Sequence, residues 1–216
     1  MTIRRDLSEL SEDGLARVYH GVAVPLKTSD DYTQGYLLSE AESLRVDEKT
    51  RIARKAASLV KPGDILIIDA GSTAAMTAGF IPKDMPVKII CFSLNAFLRS
   101  LGRRNSEVIL AGGLYHETSR VFESQESIEL IKRYRATKAF ISASGFRDDL
   151  GVTCSNQFEI AMKSASLQSS LQKILITDSS KFGKITPCFF ADLSDFDMII
   201  TDSGIPENAV KSLVQK

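Results

Sequence analysis

The residues able to do chemistry in this chain stand where short apolar runs end. Ile65-Leu66-Ile67-Ile68 runs into Asp69-Ala70-Gly71-Ser72-Thr73, Val87 to Phe92 into Ser93-Leu94-Asn95, and Glu107 to Ala111 into Gly112-Gly113. Lys138 to Ala143 runs into Ser144-Gly145, and Ile174-Leu175-Ile176-Thr177 into Asp178-Ser179-Ser180-Lys181. Glu159 and Lys163 stand four apart, on one face of a helix. A glycine lets a phosphate approach the backbone, and Ser72 and Thr73 add hydroxyls to the free amides of a helix start. Lys181 supplies a cation, while carboxylates or Asn95 suit sugar hydroxyls. The set fits an anionic, hydroxyl-rich small molecule. Each member has a plainer reading too: Ser72 or Thr73 as a helix cap, Lys181 as a surface lysine, Asp148-Asp149 as an exposed turn before Gly151.

Other chemistries find less support. Nucleophilic catalysis lacks a base, because His20 sits in a small N-terminal segment and His116 has no evident orienting acid. Proton abstraction stays open, with Asp148, Asp149 or Glu159 beside Lys181. Cys91, Cys154 and Cys188 are far apart, so they read as buried small hydrophobes and not as a disulfide framework or zinc site. No metal or cofactor is expected. With 27 basic and 27 acidic residues the formal charge is zero, so charge alone gives no nucleic-acid footprint. No window nears the roughly 20 apolar residues of a membrane span, and the N-terminus is no signal peptide, so a cytoplasmic, non-membrane protein is expected.

Strands must alternate with helices to hold these residues. The apolar runs read as buried parallel strands, the last being Met198 to Asp202. Helices are predicted over Asp47 to Val60, from Ala74 to Gly79, from Ser93 to about Leu101, over 125–134 and over Asn156 to Leu171. The fold class is therefore α/β, an open mostly parallel sheet flanked by helices. Its strands' carboxyl ends surround one crevice. Ahead of it, Ile3, Leu7 and Leu10 have helical spacing, Leu15 to Tyr19 alternates like a short strand, and His20-Gly21 turns out of it. Residues 22–46 read as polar and irregular to about Asp31, then helical from Tyr36 to Leu44.

Asp69-Ala70-Gly71-Ser72-Thr73, Gly112-Gly113, Phe140 to Gly145, Glu159 with Lys163, Asp178 to Gly183 and Ile200-Thr201-Asp202 resemble the sensor domain of the DeoR family of bacterial sugar-metabolism regulators. Thr2 to Leu7, Gly14 and Arg17 to Gly21 resemble the end of that family's winged helix-turn-helix. The resemblance implies a remnant of that reading head over 1–21, a linker and connecting helix over 22–46, and a sensor over 47–216. It further implies a repressor of a carbohydrate operon, a homodimer or homotetramer, that takes a phosphorylated sugar or sugar alcohol. The effector would meet Asp69, Gly71, Ser72, Thr73, Ser93, Asn95, Gly112, Gly113, Ser144, Gly145, Glu159, Lys163 and Lys181. Operator DNA, in a full-length form, would meet Thr2, Arg4, Arg5, Arg17 and His20. On charge content alone Arg4 and Arg5 are simply solvated.

Departures from the family pattern carry expectations of their own. The family's further helices before Thr2 do not precede it here, which implies that residues 1–21 are poorly ordered or docked unnaturally and that operator DNA is bound weakly or not at all. Cys91-Phe92 replaces a Thr-Asn pair, and Glu123 stands where a turn carries glycine. The fold also resembles ribose-5-phosphate isomerase, in its phosphate loop and its Asp-x-Ser-Lys segment. The isomerase's catalytic turn is not matched at Ser144 to Asp149, so the alternative of an isomerase-type enzyme ranks second to a sensor that kept the phosphate pocket.

Overall fold

A computed structural model describes residues 16–19, 22–25, 37–207 and 210. The chain divides into two compact units, 1–35 and 36–216. In the first, strands β1 (Ala16–Tyr19) and β2 (Val22–Pro25) pair antiparallel, with Tyr19 opposite Val22. The expected strand at Arg17 is present. Residues 22–25 form a strand where irregular chain was expected, because Val22 and Val24 are β-branched at alternate positions. The expected helix over 2–13, its order, and Thr2, Arg4, Arg5 and His20 lie outside the described residues.

The larger unit opens with α1 (Leu38–Ser43) and α2 (Val46–Ala57). Strand and helix then alternate through β3 (Ile65–Ile68), α3 (Ser72–Phe80), β4 (Lys88–Cys91), α4 (Leu94–Ser100) and β5 (Glu107–Leu110). A hairpin of β6 (Leu114–His116) and β7 (Val121–Glu123) follows, then α5 (Gln125–Arg133) and β8 (Ala136–Ile141). Strands β9 (Gly145–Arg147) and β10 (Gly151–Cys154) lead to α6 (Glu159–Gln168) and β11 (Ser170–Ile176). A single-turn helix (Ser179–Lys181), β12 (Cys188–Ala191), a second turn (Leu193–Asp195) and β13 (Met198–Ile200) complete the order.

Six strands form one parallel sheet in the order β13-β11-β8-β3-β4-β5. The chain winds outward through β3, β4 and β5 on one side and β8, β11 and β13 on the other, so the winding reverses between β3 and β8. Alternate strand residues feed opposite faces: Leu66, Ile68 and Phe140 pack with Ile52, Ala56, Ala74 and Ala78 of α2 and α3. Ile67, Ala139 and Ile141 pack with Ile131 of α5, Met162 and Ala165 of α6, and Phe190 of β12. The small residues of α2 and α3 let those helices lie close to each other and to the sheet.

Two smaller sheets were not expected: β6-β7, and β12-β10-β9, both antiparallel. Their strands have three or four residues, too few for alternation to register. The predicted helix over Asn156 to Leu171 is shorter at both ends. Leu171 extends the apolar spacing in the sequence yet lies in β11 and is 75% exposed. Ser169 ends the helix by donating its N–H to Ala165 and Leu167 carbonyls.

Candidate functional site

The turn leaving β3 and the end of β8 meet at the reversal point, where open α/β sheets form ligand crevices. Gly71 sits at φ +100° immediately before α3, a conformation that L side chains rarely adopt. A Cβ there would lie 3.0 Å from Ser142 Oγ. No side chain caps α3 at this end, so the first amides of a nine-residue helix, at Ser72 and Thr73, stand open to a cleft. The helix's positive end faces the same way.

Behind this wall lies a buried ion cluster. Asp69 is fully buried and its Oδ2 accepts from Lys163 Nζ at 2.5 Å, from Ser142 N at 2.8 Å and from Ser142 Oγ at 3.0 Å. Lys163 also donates to the Ser142 carbonyl at 3.0 Å and pairs with Glu159 Oε2 at 3.7 Å. Burial would lower the Lys163 pKa, but the Asp69 and Glu159 carboxylates outweigh it and hold the ammonium above its ordinary value. Burial pushes the Glu159 carboxyl up, against the pull of Lys163 and of Asn156, whose Nδ2 donates to it at 2.7 Å. The cluster ties β3, β8 and α6 together behind the helix start.

The cations facing the cleft come from elsewhere. Lys181, on the turn after β11, has its pKa lowered by burial, with Asp178 opposing and Lys184 and Arg45 adding to the fall. Lys49 of α2 is 4% exposed, donates to the Ala41 carbonyl, and is likewise lowered by burial. Asp178 answers them: its Oδ1 accepts from Ser180 N at 3.0 Å and from Ser180 Oγ at 2.5 Å, and lies 3.8 Å from Arg45 Nε. The cleft is open to solvent.

Of the sequence-predicted residues, Gly71, Ser72, Thr73, Ser144, Glu159, Lys163 and Lys181 line this cleft. Asp69 lies beneath it, committed to Lys163 and Ser142. Ser93 is fully buried and donates to the Asp69 carbonyl at 3.5 Å. Asn95 borders a separate groove with Met76 and Arg120, and its Nδ2 donates to the Gly71 carbonyl at 3.4 Å. Gly112 offers its carbonyl to Ser124, which caps α5, and to Ser127 within it, and Gly113 sits where a Cβ would strike the Glu123 carbonyl. Gly145 lies as close to the Lys184 carbonyl. Gly113 and Gly145 therefore serve close chain crossings, and none of the three glycines lines the cleft. Glu123 is not on a turn but in β7, where His116 Nε2 meets its carboxylate at 3.0 Å. Cys91 and Phe92 are fully buried in the two cores, and burial pushes the Cys91 and Cys154 thiols up to about 12.

Lys49, Ser119, Ser142 and Thr177 also line the cleft, and none was singled out in the sequence. Lys49 reads as one more charge on an amphipathic helix, and Ser119 as part of a polar loop. Ser142 continues the apolar run that ends at Ser144, so only a hint marked it. Among the described residues, no group of three His, Cys, Asp or Glu could hold a metal ion, and no helix is long and apolar enough to cross a membrane.

Comparison with known proteins covers both units. The DeoR C-terminal sensor domain matches residues 44–203, and the DeoR-like helix-turn-helix domain matches residues 1–28. The deoxyribose operon repressor of Escherichia coli K12 is 33% identical over 211 residues, 98% of this chain and 82% of that protein. The L-fucose operon activator of Haemophilus influenzae is 30% identical over 210 residues, 97% of this chain and 83% of that protein. Among solved structures, eIF2B beta of Chaetomium thermophilum aligns at TM-score 0.54 and 14% identity, over 79% of this chain and 53% of that one. That likeness is one of fold alone.

Proposed function

Because the chain belongs to the DeoR family of DNA-binding transcription regulators and not among enzymes, we propose that its cleft binds a phosphorylated sugar or sugar alcohol that controls a carbohydrate-utilisation operon. One observation carries the reading: the uncapped start of α3 opens, through Gly71, into a cleft bearing Lys49 and Lys181. Backbone amides, a helix's positive end and two ammonium groups together favour a phosphate dianion. Ser119, Ser142, Ser144 and Asp178 around it suit hydroxyls. The family's helix-turn-helix then reads operator DNA, with this chain as a repressor working as a homo-oligomer. Relatives named for deoxyribose and L-fucose operons support a carbohydrate setting.

Signalling requires that the ligand favour one arrangement of the protein over another. Lys49 belongs to α2 and holds α1 by the Ala41 carbonyl, so a phosphate that recruits Lys49 acts on the helix that follows the N-terminal unit in the chain. A thermal-shift series with phosphorylated sugars and alditols, each paired with its unphosphorylated parent, tests the reading. A rise in Tm with a phosphorylated member alone is expected, reduced by Lys181→Met. No shift with any of them at millimolar concentration would overturn it. The sign of regulation is read by mobility shift of operator DNA with and without the ligand so found.

A further inference from the structure

Two hydroxyls in the cleft have no hydrogen-bond partner. Ser119 is 2% exposed and Thr177 is 2% exposed, and neither Ser119 Oγ nor Thr177 Oγ1 meets a donor or acceptor among the described residues. Buried hydroxyls are ordinarily satisfied, and two orphans facing one cleft mark groups held for a ligand. They stand on different elements: Thr177 directly follows β11, and Ser119 lies in the turn between β6 and β7.

That turn is also the grip on α1. On one side of Ser119, the Thr118 carbonyl accepts from Leu38 N at 2.8 Å. On the other, Arg120 Nη1 meets Glu42 Oε2 at 3.4 Å, and the Arg120 carbonyl accepts from Leu94 N at 2.8 Å. Arg120 holds φ +54°, a strained setting for a side chain with a Cβ, so the turn is kept in shape by its partners. The hairpin is braced beside that turn: the His116 ring stacks on Phe158 with centroids 3.6 Å apart, next to Glu159. Ser119 thus sits between a braced hairpin and the helix it holds.

Resting on the phosphosugar reading, we infer that Ser119 and Thr177 read the sugar hydroxyls of the bound ester, and that Ser119 passes occupancy to α1 through Thr118 and Arg120. A ligand bonded to Ser119 Oγ draws on the turn whose two neighbouring residues hold the start and end of α1. A phosphate alone reaches the start of α3 but leaves both hydroxyls unused.

Calorimetric titration of the full chain tests this, with 2-deoxyribose 5-phosphate, fructose 6-phosphate and glucitol 6-phosphate as probes against inorganic phosphate. At least one ester is expected to bind more tightly than inorganic phosphate. Ser119→Ala and Thr177→Val are each expected to cut that preference about three- to tenfold, the scale of one neutral hydrogen bond, while affinity for inorganic phosphate stays within about twofold. Hydrogen exchange over residues 38–43 is expected to slow when the preferred ester saturates the wild type and not when it saturates Ser119→Ala. An ester preference kept by both variants, an equal loss for ester and phosphate, or slowed exchange retained in Ser119→Ala would overturn the inference and leave the phosphate site standing. A wild type that binds neither inorganic phosphate nor any ester would bring down the phosphosugar reading, and this inference with it.

Discussion

Lys163 shows what a buried charge does when all its partners are protein. Its ammonium faces Asp69, Glu159 and the Ser142 carbonyl and is 1% exposed. Removing it leaves two carboxylates without their cation, so Lys163→Met is expected to lower stability by about 3–5 kcal/mol, read from the urea midpoint. Asp69→Asn with Lys163→Met is expected to cost less than the single change, because one of the two uncompensated charges goes too. A single variant within 1 kcal/mol of wild type, on the order of the ~1 kcal/mol typical of ordinary substitutions, would deny the cluster its structural weight. Asp64 shows the acid side. Burial would raise its carboxyl, but Lys138 at 2.7 Å, the Lys61 amide and Thr137 outweigh this and hold it below its ordinary 3.8. A carboxyl lowered on folding stabilises fully above its unfolded pKa, and that contribution fades as pH falls through 3.8 toward the folded value. Tm against pH is therefore expected to drop on this acid limb, and Asp64→Asn to flatten it from a lower plateau at neutral pH.

At the scale of elements, α3 is set at both ends by contacts with residues distant in sequence, Ser142 and Arg103. Its start depends on Gly71, where an alanine brings both an unfavourable backbone and a 3.0 Å approach to Ser142 Oγ. Gly71→Ala is expected to cost about 1–3 kcal/mol and to weaken phosphate binding, as urea unfolding and titration with phosphate would report. Its end depends on Arg103, whose guanidinium donates to the carbonyls of Ala78 at 2.6 Å, Pro82 at 2.9 Å and Ile81 at 3.3 Å. Arg103→Ala is expected to cost about 1–2 kcal/mol in the same unfolding measurement, by removing a cation from the helix's negative end. The helix start was legible, since an acid, a glycine and two hydroxyls follow an apolar run. Arg103 was not, because only the fold carries the chain from α4 back beneath α3.

For the whole molecule, ligand binding and folding are linked. A ligand of the larger unit at one hundred times its Kd is expected to stabilise that unit by about 2.7 kcal/mol, read as a concentration-dependent Tm. The sequence by itself determined the parallel sheet, its six strands and the glycine-hydroxyl ends that face the cleft, since continuous β-branched runs and turn residues are local signals. It also carried the family likeness, through residues in the same order along nearly the whole chain. Only the tertiary structure decided that the winding reverses between β3 and β8, which placed Gly71 against Ser142 and put Asp69 under the cleft instead of in it. It alone brought Lys49 and Ser119 to the same cleft, from a helix and a short hairpin that say nothing of each other in one dimension. Strand and helix signals act over a few residues, whereas a buried charge or an orphaned hydroxyl takes its meaning from neighbours as many as 94 positions away, as Lys163 does from Asp69.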